Sequence, residues 1–340
     1  MNILSLVIPG LLGPLPELKE SRIELPDCIA LRKWLSRGSL LQTSGEGYYS
    51  LLAELFSIDQ NYSITQASAV TDQCDCSDGF WLRADPVHFK ADMDHAVLID
   101  YQQLDVLQSE ADALVDSFNM HFKEDGIKLV SKHPHRWYLY SENKFDIETT
   151  RLEDAVGRNV NHFLPRGDYA LKWRSFLNEA QMLFHMHEVN ARREQQGKLT
   201  INSLWLWGEG LTSQLPEKSP YDWVMTNEPV AQGLAILSDC KIVPVDVELG
   251  LLLENHNHGL IILNEIMGPA SYGDVQAWSE TLGDLYHQWI EPLDNHLKKG
   301  LVDQIYLSSA NGPVFKITKN GLRRFWKKLL PIKGFISTHA

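Results

Sequence analysis

The sequence is poor in cysteine, and its apolar runs are short. Four of its 340 residues are cysteine, Cys28, Cys74, Cys76 and Cys240, which is too few and too scattered for a disulfide-stapled scaffold. No run reaches the roughly 18 apolar residues that a membrane-spanning helix requires. Residues 1–18 also lack the basic start of a signal peptide. We therefore expect a protein of the reducing cytoplasm that does not enter a membrane.

Positive charge is also scarce over most of the chain. It has 31 Lys and Arg residues against 44 Asp and Glu, which gives a net charge of -13. Such a body is not expected to bind nucleic acid or an anionic membrane by charge alone. Residues 313–340 are the exception, because they contain seven Lys or Arg residues and no acid. The rest of the chain therefore carries a net charge of about -20.

This basic C-terminal segment, residues 313–340, has two interpretations. It could dock an acidic protein partner, or it could pack as a helix on the acidic body. The packing interpretation is favoured by apolar residues at helical spacing, which are usually buried. These residues are Leu322, Phe325, Trp326, Leu329 and Leu330.

Three motifs of common enzyme classes are absent. The sequence has no GxSxG elbow, no GxxxxGK[ST] loop and no GxGxxG after a predicted strand. Their absence argues against an α/β-hydrolase, a P-loop nucleotide hydrolase and a dinucleotide-binding enzyme.

Apolar runs alternate with helical patterns along most of the chain. Residues 2–8, 203–207 and 259–263 are typical of strands covered on both faces, and residues 169–196 have the spacing of one long helix. This alternation predicts an α/β fold with a doubly wound core. Residues 95–150 read as strand, helix and two strands, which predicts a small inserted α+β subdomain. The expected domains are a core of residues 1–94 and 151–312, the insertion 95–150, and the basic segment 313–340.

The first cluster of chemically capable residues follows a short predicted strand, residues 79–84. Arg83, Asp85 and His88 stand close together there, with more carboxylates shortly after them. The fork of an Arg binds phosphate and carboxylate groups in a bidentate manner, so the cluster could hold an anionic ligand. Asp and His side chains could also bind a metal ion. An ordinary ion-paired loop is the equally weighted alternative.

A second polar cluster lies in a predicted loop, residues 157–168. It contains Asn161 and His162, with glycines that allow a tight backbone. A ligand-binding loop and a purely structural loop are equally compatible with this pattern.

The third cluster spans the predicted long helix and the strand after it. His187, Asn190 and Arg193 lie towards the end of the helix, and Trp207 and Glu209 lie at the end of the strand. The carboxyl end of a strand in an α/β protein is a common place for a ligand cleft. Taken alone, His187 follows the apolar face of the helix and is interpreted as a core histidine.

The same cluster carries a family resemblance. The pattern His187-x-x-Asn190-x-x-Arg193, followed by Asn202-x-x-Trp205-x-Trp207-Gly208-x-Gly210, resembles archaeal-type, cofactor-independent phosphoglycerate mutases. The resemblance extends unevenly over most of residues 1–312 and implies an alkaline-phosphatase-like fold. The chain also resembles divergent bacterial proteins labelled as phosphoglycerate mutases or as regulators of pathogenicity factors.

The chemistry that the resemblance implies needs two divalent metal ions and a Ser nucleophile. Ser44 matches the nucleophile, but Gly45 stands where the family has Asp. Pro9 replaces the first Asp ligand, which in the family follows strand one. Residues 264–274 lack the His of the matching family segment, and residues 308–311 lack its Asp-His pair. We therefore expect no bound metal and no other cofactor.

The leading hypothesis is a phosphoglycerate-mutase-like protein that has lost two-metal phosphoryl transfer. It would bind an anionic phosphorylated metabolite, or a protein partner through the basic C-terminal segment, in a regulatory role. The ligand site would use Arg83, Asp85, His88, Asn161, His162, His187, Asn190, Arg193, Trp207 and Glu209. The alternative is an active phosphoglycerate mutase or phosphatase that uses Ser44 and Mn or Mg. A metal-independent enzyme built on Asp85, His88 and His162 is a third possibility.

Overall fold

The computed structural model describes residues 1–41, 47–76, 78–93, 95–144, 146–209, 216, 218–247, 249–253 and 258–337. The chain forms two compact units. Unit 1 consists of Met1–Gln60 and Pro216–Ala340, and unit 2 consists of Asn61–Leu215. This division differs from the expected one, in which residues 95–150 alone form the insertion.

The strands, in chain order, are β1 (Ile3–Val7), β2 (Ser39–Leu41), β3 (Phe80–Asp92), β4 (His95–Ile99), β5 (Ile127–His133), β6 (Arg136–Ser141), β7 (Ser203–Trp207), β8 (Trp223–Thr226), β9 (Lys241–Val243), β10 (His258–Ile262), β11 (Gln304–Ser308) and β12 (Val314–Thr318). The helices are α1 (Ile29–Arg37), α2 (Tyr48–Phe56), α3 (Ile64–Thr71), α4 (Tyr101–Leu104), α5 (Gln108–His121), α6 (Leu152–Ala155), α7 (Ala170–His185), α8 (Glu188–Gln195), α9 (Pro229–Leu237), α10 (Leu249–Leu252), α11 (Met267–Ser271), α12 (Val275–Leu285), α13 (Glu291–Lys299) and α14 (Lys319–Leu322). None of the helices within the described residues has the length and apolar character needed to cross a membrane.

Unit 1 is built on a seven-stranded sheet in the order β2-β12-β11-β1-β10-β8-β9. The strands β11, β1, β10, β8 and β9 are parallel, whereas β12 and β2 are antiparallel additions at one edge. The apolar sequence of β1 suits its central place, because Leu4, Leu6 and Val7 are buried. The predicted α/β fold and its buried first strand are therefore confirmed.

Two tryptophans fix helices of unit 1 in the core under this sheet. Trp34 on α1 and Trp278 on α12 are fully buried in the same apolar cluster. Each indole N–H still has an acceptor, because Trp34 donates to Asp294 (2.8 Å) and Trp278 donates to the Gly10 carbonyl (2.9 Å). A buried indole requires such a partner. The two contacts tie these helices to α13 and to the turn after β1.

The basic C-terminal segment does not pack as the predicted helix. Helix α14 ends at Leu322, and Phe325 and Trp326 are 81% and 70% exposed. Beyond Leu322 the backbone is held by α1 instead, since Arg32 donates to the Leu330 carbonyl and Leu330 N–H donates to Ser36 Oγ. Residues 323–331 are thus not helical, and the packing interpretation of the apolar stripe is wrong for its two aromatic residues.

Unit 2 is built on an antiparallel sheet in the order β4-β3-β6-β5, with β7 paired to β3. Strand β3 has 13 residues and pairs with three other strands, whereas the sequence predicts a short strand over residues 79–84. Strand β7 is antiparallel to β3, in register from Arg83 opposite Trp207 to Val87 opposite Ser203. The expectation that β7 belongs to the doubly wound core is therefore wrong, and this pairing places the unit boundaries outside residues 95–150.

Helices α5 and α7 cover one face of this sheet. Phe118 of α5 contacts both Phe176 and Phe184 of α7, and Phe184 also packs on Trp137 of β6. These residues belong to one buried apolar cluster of unit 2. Unit 2 thus has its own hydrophobic core, as an independent compact unit requires.

Candidate functional site

The parallel strands of unit 1 end side by side. The register places Val7 of β1 opposite Ile262 of β10 and Ser308 of β11. Just beyond the strands, Ile8 N–H donates to the Ser308 carbonyl (2.9 Å) and Gly10 N–H donates to the Ser309 carbonyl (3.3 Å). This edge is where an open α/β sheet offers a ligand crevice, and where the family resemblance places metal ligands.

The side chains at these strand ends are mostly neutral. Pro9 is buried and offers no donor atom, and the hydroxyls of Ser308 and Ser309 bind backbone groups of the same turn. The carboxylate of Glu228 after β8 caps α9 and accepts the Tyr48 hydroxyl (3.0 Å). Divalent cations in proteins need several carboxylate or imidazole ligands. The donor set at the described ends of β1, β10 and β11 therefore does not fit a two-metal centre.

The turn after β1 is closely packed as well. Gly10 has a φ of +82°, and a Cβ added there would lie 2.9 Å from the Cβ of Ala270 on α11. Glycine is needed at such a position, because an L-residue would be strained in this conformation and would clash. Across the described residues of the whole chain, no three His, Cys, Asp or Glu side chains form a group that could hold a metal ion.

Ser44 lies outside the described residues. Its role as a nucleophile therefore stays a prediction.

In unit 2, Arg83 and Asp85 form a buried ion pair on β3. Arg83 donates through Nε and Nη2 to Asp85 Oδ1 (3.0 and 2.8 Å), and through Nη2 to Oδ2 (2.8 Å). Trp207 Nε1 also donates to Asp85 Oδ2 (2.8 Å), and the Arg83 guanidinium lies over the rings of Tyr138 and Trp207. Burial raises the pKa of the Asp85 carboxyl, while the charge and hydrogen bonds of Arg83 act in the opposite direction.

This arrangement uses the groups that the sequence assigns to an anionic ligand. The guanidinium of Arg83 is neutralised by Asp85 and enclosed by two aromatic rings, so it faces protein rather than a phosphate. Trp207 takes part in the same cluster, because its indole N–H donates to Asp85 and its ring stacks on the Arg83 guanidinium. The structure thus favours the ion-paired alternative for Arg83 and Asp85.

A second ion pair, which sequence reasoning missed, lies beside the first. Arg136 Nε donates to Asp72 Oδ2 (2.8 Å), and the Tyr138 hydroxyl donates to the same oxygen (2.6 Å). Burial acts to raise the pKa of Asp72, but these hydrogen bonds and the charges of Arg136 and Arg83 together hold the pKa below its ordinary value. Arg136 and Tyr138 are two residues apart on β6, so they lie on one face of the strand. This spacing is the sequence feature that could have predicted a shared partner for the two side chains.

His187 breaks the predicted long helix. Helix α7 ends at His185 and α8 begins at Glu188, with His187 as the N-cap, since its Nδ1 accepts the Val189 N–H (3.2 Å). In the neutral ring, Nε2 then carries the proton and donates to Ser117 Oγ (2.9 Å). Burial lowers the pKa of His187, which favours this neutral form.

Asn190 and Arg193 are buried and bind the protein's own backbone. The Asn190 amide donates to the carbonyls of Phe184 (2.7 Å) and Ile201 (2.8 Å) and accepts the Ile201 N–H (2.8 Å). Arg193 donates to the carbonyls of Leu199 and Leu104 and forms a salt bridge with Glu110 (2.6 Å). Their polar atoms are thus used within the fold, which argues against the predicted ligand-binding role of both.

The remaining predicted residues do not meet in one cluster within the described part of the chain. His88 Nδ1 hydrogen-bonds the Thr200 carbonyl (2.9 Å), and burial lowers its pKa. Asn161 and His162 are exposed on a short 3-10 turn, whereas Asp85 is fully buried. No hydrogen bond or ion pair joins Asp85, His88 and His162 within the described residues, and a metal-independent enzyme built on them stays a prediction.

Unit 2 also has an open pocket of about 730 Å³. Trp81, Leu82 and Ile147 supply its apolar wall. Its charged residues are four carboxylates and one ammonium, namely Asp146, Glu148, Asp168, Glu209 and Lys144. Glu209, the one predicted ligand residue that lines it, accepts the Thr149 N–H (2.8 Å). The excess of negative charge makes this pocket a poor site for an anionic metabolite.

Comparison with known proteins shows a consistent relationship, although no family model matches the chain. It is 24% identical over 187 residues to a 2,3-bisphosphoglycerate-independent phosphoglycerate mutase of Methanosarcina mazei, covering 52% of this chain and 47% of that protein. It is 27% identical over 214 residues to the enzyme of the same name from Methanothrix thermoacetophila, covering 57% and 50%. The chain thus spans about half the length of these curated relatives.

The solved structure of the PH0037 protein from Pyrococcus horikoshii matches over 93% of this chain and 86% of its own, with a TM-score of 0.51 and 15% identity. This likeness concerns the fold alone. Together with the parallel sheet of unit 1, it shows an α/β fold of the alkaline-phosphatase-like type. Within that fold, the sequence is similar to cofactor-independent phosphoglycerate mutases of archaea, at 24–27% identity over about half of the chain.

Proposed function

We propose that this protein is a phosphoglycerate-mutase-like protein that has lost two-metal phosphoryl transfer and acts by binding, in a regulatory role. The supporting observation is the donor set at the ends of β1, β10 and β11. Pro9, Asn264 and Ser308 to Asn311 stand where the resemblance calls for Asp and His ligands. Without those ligands, the two metals that activate the Ser and neutralise the transferring phosphoryl group have no matching site.

Of the two bound molecules expected from the sequence, we favour a protein partner, because two observations weigh against an anionic metabolite. Arg83 and Arg193 are paired with Asp85 and Glu110, so neither is available to a phosphate. The pocket of unit 2 is lined by four carboxylates and one ammonium. Titration calorimetry with 3-phosphoglycerate tests this preference. The proposal expects no saturable heat, whereas tight binding would restore the metabolite hypothesis.

Catalysis is tested with 3-phosphoglycerate and a general phosphatase substrate, in the presence of Mn or Mg. The proposal predicts turnover at the level of the blank, and the same level for Ser44→Ala. The sequence relationship to named mutases favours the alternative, an active metal-dependent mutase or phosphatase. Metal-dependent turnover that disappears in Ser44→Ala would establish that alternative.

A further inference from the structure

The loop after α14 in unit 1 presents two large aromatic side chains to solvent. Phe325 and Trp326 are 81% and 70% exposed, and their rings meet edge to face at 5.3 Å. Exposed Phe or Trp residues are unusual where function does not need them, because their burial is strongly favourable. This aromatic tip, Arg323–Lys328, therefore indicates a surface that another molecule covers.

The tip is held at both ends and is not a loose tail. On one side, Arg37 donates to the Leu322 carbonyl (2.9 Å). On the other side, Arg32 donates to the Leu330 carbonyl (3.1 Å), and Ile332 is buried in the core of unit 1. Helix α1 thus fixes the loop on both flanks, and the aromatic pair is displayed on a defined support.

Along the chain, the charged residues next to the aromatic pair are all positive. Arg323, Lys327 and Lys328 are exposed, and within the described residues their side chains have no hydrogen-bond or ion-pair partner. The segment from residue 313 onward contains no acid. The tip therefore combines apolar rings with exposed basic side chains, although the net charge of the whole chain is -13.

This chemistry fits an anionic lipid surface. Trp and Phe partition into the interface of a bilayer, and nearby Lys and Arg are attracted to anionic headgroups. A fluid bilayer accepts a short projecting tip without a shaped pocket. A nucleic acid instead needs a positive groove that follows several nucleotides, and the acidic remainder of the chain opposes such a contact.

We propose that the aromatic tip docks this protein peripherally on an anionic bilayer, with Phe325 and Trp326 in the interface and the basic side chains facing the headgroups. The acidic body would be repelled by the same surface, so the contact is confined to the tip. From net charge alone, the chain is not expected to bind an anionic membrane. The aromatic pair changes this expectation, because it supplies an attraction to the bilayer that does not depend on charge. The proposal does not depend on whether the protein retains catalysis.

Flotation of the full chain with lipid vesicles tests the proposal. Vesicles of equal parts phosphatidylcholine and phosphatidylglycerol should carry the protein, and vesicles of phosphatidylcholine alone should carry much less. The bound fraction should fall at least tenfold in Phe325→Ala/Trp326→Ala and in Lys327→Glu/Lys328→Glu. Leu171→Ala/Met182→Ala, which removes exposed apolar side chains of unit 2, and Lys123→Glu/Lys299→Glu are the matched controls and should bind like the parent.

The changed residues are exposed, so all variants should fold, and equal thermal midpoints check this. Absence of flotation with the anionic vesicles would overturn the proposal. An equal decrease of the vesicle-bound fraction in the test and control variants would also overturn the proposal. Binding of single-stranded RNA or of polyglutamate through the tip, without vesicle binding, would assign the surface to a nucleic acid or an acidic protein instead.

Discussion

At the scale of single residues, charges that look available in the sequence are used inside unit 2. Arg83 and Asp85 are two apart on a strand, and such residues share one face. The predicted strand ends at residue 84, before Asp85. The sequence analysis therefore does not place Arg83 and Asp85 on one strand face, although their spacing allows it. The contact of Trp207 with Asp85 could not be predicted, because it depends on the pairing of two strands about 120 residues apart.

Removing the buried carboxylate should be costly. Asp85→Ala leaves the Arg83 guanidinium buried without its partner, and we expect a loss of about 3–5 kcal/mol in the free energy of unfolding. Urea unfolding of the purified protein measures this. Lys198→Ala breaks an exposed ion pair with Asp105 and should cause little change. A similarly small loss in Asp85→Ala would show that the buried pair is not needed for stability.

One histidine of unit 2 should make stability depend on pH. Burial, and then the charge of Arg136, lower the pKa of His133 to about 4, whereas a His in the unfolded chain has a pKa of about 6.5. Between these pH values the unfolded state binds more protons, so the free energy of unfolding decreases as the pH falls from about 6.5 to 4. His133→Gln should reduce that decrease, as measured by urea unfolding at several pH values. An unchanged pH slope would contradict this assignment.

At the scale of elements, the helix break at His187 shows what periodicity cannot reveal. The apolar spacing of residues 169–196 continues past the break, so the sequence predicts one helix. His is not a usual N-cap residue, so the sequence gives no sign of a cap at this position. The ring is held in the capping orientation by Ser117 on α5, and this contact is known only from the structure. The family-like pattern His187-x-x-Asn190-x-x-Arg193 therefore marks a structural joint between α8, α5 and the chain before β7.

Because these residues hold elements of unit 2 together, we expect that changing them lowers the free energy of unfolding and does not act through ligand binding. Asn190→Ala should lower the free energy of unfolding by about 2–3 kcal/mol, because buried backbone groups of Phe184 and Ile201 lose their partner. Arg192→Ala on the same helix removes an exposed pair with Glu188 and is the matched control. Thermal and urea unfolding compare the two. Parent-like stability of Asn190→Ala, together with loss of binding to a ligand, would restore the predicted ligand-binding role.

At the scale of the whole molecule, the sequence predicts unit 1 better than unit 2. Parallel strands buried on both faces are continuous apolar runs, and β1 and β10 could be recognised in this way. Unit 2 is antiparallel, and its central β3 pairs with the next strand β4 and also with β6 and β7, which come from distant parts of the chain. Neither the unit boundaries nor the acidic pocket around Trp81 follows from local patterns, because both depend on that pairing.

The relationship to the mutases and the altered strand ends together define the central claim. The alkaline-phosphatase-like fold has been kept, while Pro9 and Ser308 to Asn311 have neutral side chains at positions where the resemblance implies metal ligands. The fold alone does not determine the reaction, so the side chains of the site decide whether metal-dependent phosphoryl transfer is possible.

Calorimetric titration of chelator-treated protein with Mn²⁺ tests this claim most directly. The account predicts no tight divalent-metal site in the protein, and the same trace for Ser44→Ala. Two tight sites, accompanied by mutase or phosphatase turnover that depends on the added metal, would show that the chain retains the chemistry of its relatives.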